Sequence, residues 1–355
     1  MAGKELPFPY EFEELKPEEE ELIRTTVYPT MPVPYVRLGP KGYIVFKPYM
    51  KDAANIYNMP LRPTDVFVAS YQRSGTTWAQ ELVWLIANDL NYEKAAEIPL
   101  THRYPFLDAF MYFDEDTIEE YLDTVTKTIV AENFDREKFS EFVRVVAKPV
   151  TPLLAAAPLT AKRFIKTHLP MSLLPPKLLD TAKMVYVARD PRDVAVSCYY
   201  HTKLFTMGGC IGDFKAFWNL FHRDLFCLTP YFEHVKEAWE KRDDPNMLFL
   251  FYEDLSKDLP ASIRRVADFL GKQLNEEQIN RLCDHLSIEN FKNNKSVNYE
   301  DLRDSGVLAN GETFIRKGKA GGWRAYFDDE MTRQAERWIE DNLLDTDLRF
   351  PHIRH

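Results

Sequence analysis

Asp65-Val-Phe-Val-Ala-Ser-Tyr-Gln-Arg-Ser-Gly-Thr-Thr-Trp78 is the stretch whose reading decides the fold. Its first half is apolar and β-branched and stops at a basic turn rich in hydroxyls; residues 79–87 then follow a helical pattern. A strand that enters a helix through such a turn aims several backbone N–H groups, and the positive end of the helix dipole, at one point. Arg73, Ser74, Thr76 and Thr77 add side-chain donors there. The turn reads as a phosphate site, but not as a Walker A loop, which needs Gly, four residues, then Gly-Lys-Ser/Thr. Here Ser70 stands at the first glycine position, Thr76 stands where the lysine would follow Gly75, and the basic residue precedes the glycine.

Other segments repeat the design of an apolar strand with a polar end. Arg163-Phe-Ile-Lys-Thr-His-Leu-Pro170 places Lys166 and His168 at a strand end. Lys183-Met-Val-Tyr-Val-Ala-Arg-Asp-Pro-Arg-Asp193 ends on Arg189 and enters a helix carrying Ser197. Met247-Leu-Phe-Leu-Phe-Tyr-Glu-Asp254 ends on Tyr252, and Phe314-Ile-Arg-Lys-Gly-Lys-Ala-Gly-Gly-Trp323 is a basic, glycine-rich loop suited to a second phosphate. Buried parallel strands read as continuous apolar runs, and ligands bind where their carboxyl ends meet. The expectation is an α/β protein with a central parallel sheet flanked by helices.

Taken singly, the same residues have plainer readings. His168 is one of eight histidines, and Lys166 alone is a solvated strand-end lysine. Arg189 and Arg192 can pair with Asp190 and Asp193 in a surface network, and Trp78 and Tyr252 can be core aromatics.

As a set, however, the motifs resemble the cytosolic sulfotransferases, which use 3′-phosphoadenosine 5′-phosphosulfate (PAPS) and release 3′-phosphoadenosine 5′-phosphate (PAP). Arg73-Ser-Gly-Thr-Thr-Trp78, Lys166-Thr-His-Leu-Pro170, Tyr186 through Ser197, Phe251-Tyr-Glu-Asp254 and Arg316-Lys-Gly318 occur in the family's order. The N-terminal half is similar to the insect, retinol dehydratase-like branch. The resemblance implies a P-loop-like three-layer fold. It also implies that Arg73, Ser74, Gly75, Thr76, Thr77 and Trp78 hold the 5′-phosphosulfate and the adenine side. Arg189, Ser197, Arg316, Lys317 and Gly318 would grip the 3′-phosphate, with Tyr252 near the adenine. His168 would be the general base and Lys166 would stabilise the transferring sulfuryl group. The implied reaction is sulfuryl transfer to the hydroxyl of a small apolar alcohol or phenol (retinoid, phenol or sterol-like), giving PAP and a sulfate ester. Its close variant is sulfonation followed by elimination to an anhydro product.

Two departures from the family pattern stand out. The first loop carries Arg73 where lysine is usual; a guanidinium neutralises a leaving oxygen but is a poor proton donor. The usual dimer segment after Trp323 is altered to Arg324, Asp328-Asp329 and Arg333, so the oligomeric state is left open. Two other classes are weighed: a nucleotide-dependent kinase, opposed by the missing Walker lysine, and a non-catalytic retinoid or hormone carrier, opposed by the joint presence of Lys166 and His168.

The chain has 355 residues, 45% hydrophobic and 28% charged, with a net charge of -10. That charge disfavours nonspecific nucleic-acid binding. Cys198, Cys210, Cys227 and Cys283 follow no disulfide or metal spacing, which suits a reducing, cytoplasmic setting. No apolar stretch approaches the roughly 18 residues of a membrane span, and no metal is expected. Residues 1–55 read as an extension wrapping the domain, with a solvated acidic arm at 11–21 and a proline-rich segment at 29–48; residues 56–355 read as one domain. Within it, about 107–160 reads as a helical insertion: Asp116 and Glu119 resemble a capping box, Ile118, Tyr121, Leu122, Val125 and Ile129 share a helical face, and Phe139, Phe142, Val143 and Val146 share another. Pro149, Pro152 and Pro158 end the pattern. The expectation is either a lid over an apolar acceptor or a helical pair packed on the domain edge. Phe106 is the candidate acceptor-pocket aromatic.

Overall fold

A computed structural model describes residues 6–27, 33–39, 41–128, 134–204, 211–300, 303, 308, 314–316 and 318–351. Lys317, Cys210 and Ile129 therefore lie outside the described residues. Three N-terminal strands pair antiparallel in the order β1 (Phe12–Glu14), β2 (Tyr35–Leu38), β3 (Tyr43–Phe46). The central sheet has the order β5 (Phe164–Thr167), β4 (Val66–Ala69), β6 (Lys183–Ala188), β7 (Met247–Phe251), and all its pairings are parallel.

Side chains on these strands alternate between two cores, as a period of two requires. Phe67, Ala69, Ile165, Met184, Tyr186 and Phe249 enter one apolar cluster, whereas Val66, Val68, Phe164, Val185, Val187 and Leu250 enter the other. The first is closed by helices such as Pro191–Leu204, Phe214–Phe221 and Tyr231–Trp239; the second by helices Thr76–Ala87, Leu259–Phe269 and Glu276–His285. These are the three layers expected of an α/β sheet buried on both faces.

The acidic run at 11–21 is not a solvated arm. Phe12–Glu14 is a strand, and Pro17–Thr26 a helix that buries Ile23 and follows buried Leu15. Leu15 and Ile23, with Phe12 and Leu22 packed beside them, tie it to the core, while the glutamates stay at the solvent side, with Glu19 paired to Arg37 at 2.8 Å. The proline-rich segment likewise contains the β2–β3 hairpin rather than a purely extended wrap.

The insertion forms helices Ile118–Thr128, Arg136–Val146 and Thr151–Ala156. Ile118, Tyr121, Leu122, Val125, Phe139 and Val143 build a small core of their own with Leu204 and Leu308. The expected Asp116/Glu119 capping box is absent: Asp116 pairs with Lys51 at 2.6 Å, and Glu119 accepts from both Arg144 Nε and Nη2 at 3.0 Å. Longer-range cations compete successfully for both carboxylates. Pro152 does not end the helical pattern but opens the last helix, where its missing N–H costs nothing.

Asp65, at the entrance to β4, is fully buried and forms a two-pronged ion pair with Arg163 at the entrance to β5. Arg163 also donates to the carbonyls of Leu154 and Pro60, each at 2.8 Å. Removing one partner strands the other charge in the core. Asp65→Ala is therefore expected to lower the unfolding free energy by about 3–5 kcal/mol, read from urea denaturation; a loss below about 1 kcal/mol would show the pair to be no more important than a surface one.

Candidate active site

The turn after β4 has the geometry its composition suggests. Arg73 (φ 65°) and Gly75 (φ 102°) are both left-handed, and the helix Thr76–Ala87 starts immediately afterwards. Residues in this alternation form a concavity of N–H groups, and the first N–H groups of the helix have no intrahelical partner. Glycine is required at 75 because a Cβ would lie 2.6 Å from Tyr252 Cδ2. Ser70 Oγ and Thr76 Oγ1 are 2.5 Å apart, tying the two ends of the turn together. Ser74 Oγ is buried with no partner among the described residues, a donor left for a ligand.

Arg73 is held from beyond its own loop. Its Nε donates to Ser197 Oγ at 3.3 Å, its Nη2 to the Phe314 carbonyl at 2.9 Å, and the guanidinium lies 4.5 Å from the Phe314 ring centre. Desolvation there lowers its pKa to about 10, so it stays cationic at neutral pH.

His168 follows β5 directly. Its Nδ1 is 2.9 Å from the Ser70 carbonyl, which can only accept, so Nδ1 carries the proton and Nε2 keeps its lone pair. Nε2 makes no hydrogen bond among the described residues. Burial, then the charge of Lys166, hold the imidazole well below its ordinary pKa, and His234 and Arg73 add to the depression. The group is neutral at pH 7, as a base must be. Lys166 is also buried, with Nζ 3.9 Å over the Phe106 ring, and Phe106 meets the His168 ring edge-on at 5.2 Å. The plain reading of Lys166 as a solvated strand-end lysine does not hold.

Two supports of His168 are not legible in the sequence. Fully buried Asp108 accepts from Thr167 Oγ1 (2.8 Å) and from the His168 backbone N–H (2.9 Å); burial pushes its pKa up to about 6. His234 Nε2 donates to the His168 carbonyl at 2.7 Å, and Tyr186 Oη donates to His234 Nδ1 at 2.7 Å. These partners lie tens of residues away, and nothing local in the sequence announces them.

A second cationic pole lies at the ends of β6 and β7. Arg189 is 4.1 Å over the Tyr252 ring and donates to the carbonyls of Arg73 and Lys319, each at 3.2 Å. Its Nε is buried with no partner among the described residues. Arg192 instead pairs with Asp190, but in the interior rather than on the surface, and stacks on Trp323 at 3.9 Å. Among the described residues Asp193 pairs with no arginine: it accepts from the backbone N–H groups of Gly321 and Trp323 and so anchors the glycine-rich loop. Arg316 sits 4.3 Å over Tyr200 and donates to Tyr326 Oη at 2.7 Å.

These elements surround one cavity of about 1300 Å³. Arg73, Gly75, Thr76, Thr77, Trp78, Phe106, Lys166, His168, Arg189, Ser197, Tyr252, Arg316 and Gly318 all line it; Ser74 lies just behind. Tyr121, Phe142 and Val146 of the insertion line it too, with Tyr112, Phe113 and Phe314. One end is cationic, the other apolar, and Lys166 and His168 stand between. Unpartnered Ser74 Oγ and Arg189 Nε, with Arg73 and Arg316, make a donor set that fits a nucleotide bearing two separate anionic groups.

A sulfotransferase-domain family model matches residues 63–347. The chain belongs to the sulfotransferase family. It is an enzyme of sulfuryl transfer from PAPS to a hydroxyl group. The firefly Photinus pyralis luciferin sulfotransferase is 34% identical over 316 residues, 87% of this chain and 80% of that protein. Human sulfotransferase 1E1 is 29% identical over 310 residues, 87% of this chain and 94% of its own length. Among solved structures, retinol dehydratase in a complex with retinol and PAP matches at 63% identity and a TM-score of 0.93, covering 98% of this chain and 100% of that one. Retinol dehydratase with androsterone and PAP matches at 62% identity with the same TM-score and coverage.

Two outcomes follow from the geometry of this sulfotransferase. Because His168 is neutral well below its ordinary pKa, the profile of kcat/KM against pH should stay level through neutrality, with its acid limb below pH 6.5; a limb at or above that value would contradict the buried, neutral imidazole. Arg73→Lys keeps the charge but loses the Phe314 contacts and should retain activity within about tenfold, whereas Arg73→Met should lose about 10²–10³ in kcat. Equal losses in both variants would assign Arg73 a packing role instead.

Proposed function

We propose that this enzyme sulfonates a long apolar alcohol enclosed beneath its helical insertion, with His168 as the base and Lys166 and Arg73 as the charge-stabilising cations. The observation that carries the reading is the bond from His168 Nδ1 to the Ser70 carbonyl, which leaves Nε2 free at the junction of the cationic and apolar halves of the cavity. PAPS supplies the sulfuryl group. His168 Nε2 takes the acceptor hydroxyl proton, while Lys166 balances charge on the group in transfer and Arg73 neutralises the leaving phosphate oxygen. Ser74, Gly75, Thr76 and Thr77 would hold the 5′ end of the nucleotide; Arg189, Ser197, Arg316, Lys317 and Gly318 would hold its 3′-phosphate. Tyr252 and Trp78 pack against one another at 5.7 Å on the base side. We read residues 56–355 as one domain with the described part of 1–55 packed on it, since Leu15, Ile23 and Val36 share a core with Tyr186 and Phe249. Buried free Cys198 and Cys227 suit a cytoplasmic setting.

A retinoid is the favoured acceptor class, on the 62–63% identity to retinol dehydratase and the aromatic ceiling of Tyr121 and Phe142. With an allylic alcohol, the sulfate ester formed in this enclosed space can lose sulfate with its bonding pair, and the carbon skeleton can then lose a proton, giving an anhydro product. With a phenol, the sulfate ester is the end.

The test is incubation with PAPS and retinol, a sterol or a small phenol, beside His168→Asn, with PAP release and product mass as readouts. PAP release should fall by about 10²–10⁴ in His168→Asn, and retinol should yield the anhydro mass. PAPS binding without release for any acceptor would overturn the enzymatic reading in favour of a carrier. The insertion is tested separately: Phe142→Ser with Val146→Ser should raise KM for retinol about tenfold and spare the phenol. An equal change for both acceptors would reduce the insertion to edge packing.

A further inference from the structure

From Phe142 to Leu179 the sequence contains no Asp or Glu, although the whole chain has 55 of them and a net charge of -10. Inside that stretch, Pro152, Leu153, Ala155, Ala156, Pro158 and Leu159 are all exposed, Leu153 at 63% and Leu159 at 86%. A run of exposed residues this apolar is unusual for a surface that only meets water. Its backbone is nonetheless fixed: Arg62 donates to the carbonyls of Ala157 (2.7 Å) and Pro158 (2.8 Å), and Arg163 to that of Leu154. The patch is therefore a rigid feature of the folded protein.

Its position and its borders point to an occupant. Leu153 and the neighbouring Val145, 64% exposed, also line the cavity, so the patch continues into the apolar end of the active site. Exposed lysines flank it on both sides. Lys148 has no ion pair among the described residues, and Lys162 reaches only the Ala87 carbonyl, at 3.3 Å. Asp89, the acid whose charge Lys162 senses, is already paired with Lys272. Aliphatic side chains rimmed by lysine suit the boundary between acyl chains and anionic headgroups. The negative charge elsewhere would turn the rest of the molecule away from such a surface.

We propose that this face docks on an anionic lipid bilayer, without spanning it, so that an apolar alcohol passes from the membrane into the cavity at Val145 and Leu153. The proposal rests on the reading of the cavity as a site for apolar acceptors. No described helix is long and apolar enough to cross a membrane, which leaves interfacial docking as the mode.

The whole enzyme would be sedimented with vesicles of phosphatidylcholine alone and with vesicles rich in phosphatidylserine, at low and high salt. Parent protein should pellet with the anionic vesicles, less so in high salt. Ala156→Glu with Leu159→Glu should weaken this about tenfold or more, and Leu159→Trp should strengthen it. Neither Ala156 nor Leu159 lines the cavity, so turnover of a small soluble phenol should be unchanged in both variants, which also certifies their fold. Retinol turnover should fall in the acidic variant when retinol is supplied in vesicles, but not when it is supplied in detergent. Equal pelleting of parent and acidic variant, or no pelleting with either vesicle, would overturn the proposal. So would a defect confined to retinol delivered by a carrier protein, which would make the patch a protein contact. Absence of retinol turnover by the parent in detergent would instead strike at the acceptor reading.

Discussion

The parallel register of β4 against its two neighbours is the constraint on which the site depends. Ala69 lies opposite both Thr167 and Tyr186. One residue further, the Ser70 carbonyl meets the His168 imidazole and fixes its tautomer, while the chain from Ser70 turns left-handed through Arg73 and Gly75 into a helix. A slip of one residue would invert every side chain on β4 and swap the two cores. The same register therefore sets the His168 tautomer, the left-handed turn and the packing of both layers.

Around that centre, the ionised groups divide into those that line the cavity and those that hold the chain. Arg73, Lys166 and Arg189 line the cavity, and Arg189 Nε has no partner among the described residues. Asp190, Asp193 and Asp65 act as acceptors that set chain geometry: one binds Arg192, one clamps the glycine-rich loop, and one ties β4 to Arg163. A carboxylate facing the cationic end would cancel the field that binds an anionic nucleotide. The two poles, and the loops that carry them, meet through Arg189, whose guanidinium bonds to Arg73 and Lys319 backbone carbonyls at once.

The arginine in the first loop is accommodated rather than merely tolerated. A flat guanidinium can stack on Phe314 and bond its carbonyl together, which a lysine ammonium cannot do in the same way. Phe314 also touches Tyr299 at 4.5 Å, and Tyr299 packs beside the core of the insertion. The Arg73 guanidinium and the core of the insertion thus share one aromatic neighbour.

Much of this was written in the local sequence. The apolar strands with polar ends, the turn at 73–76, Lys166 and His168 at the end of β5, and the amphipathic faces of the insertion are local patterns, because periodicity and turn chemistry act over a few residues. Tertiary structure alone decided what required distant partners. Asp108 buttresses His168 from 60 residues away, His234 reaches it from a flanking helix and is itself held by Tyr186 of β6, and Asp193 leaves its neighbouring arginine for a loop more than a hundred residues later. It also drew Asp116 and Glu119 out of an expected cap and folded an acidic segment onto the core. Sequence fixes which groups are available; which of them is neutral, buried or bridging depends on what the fold packs against them.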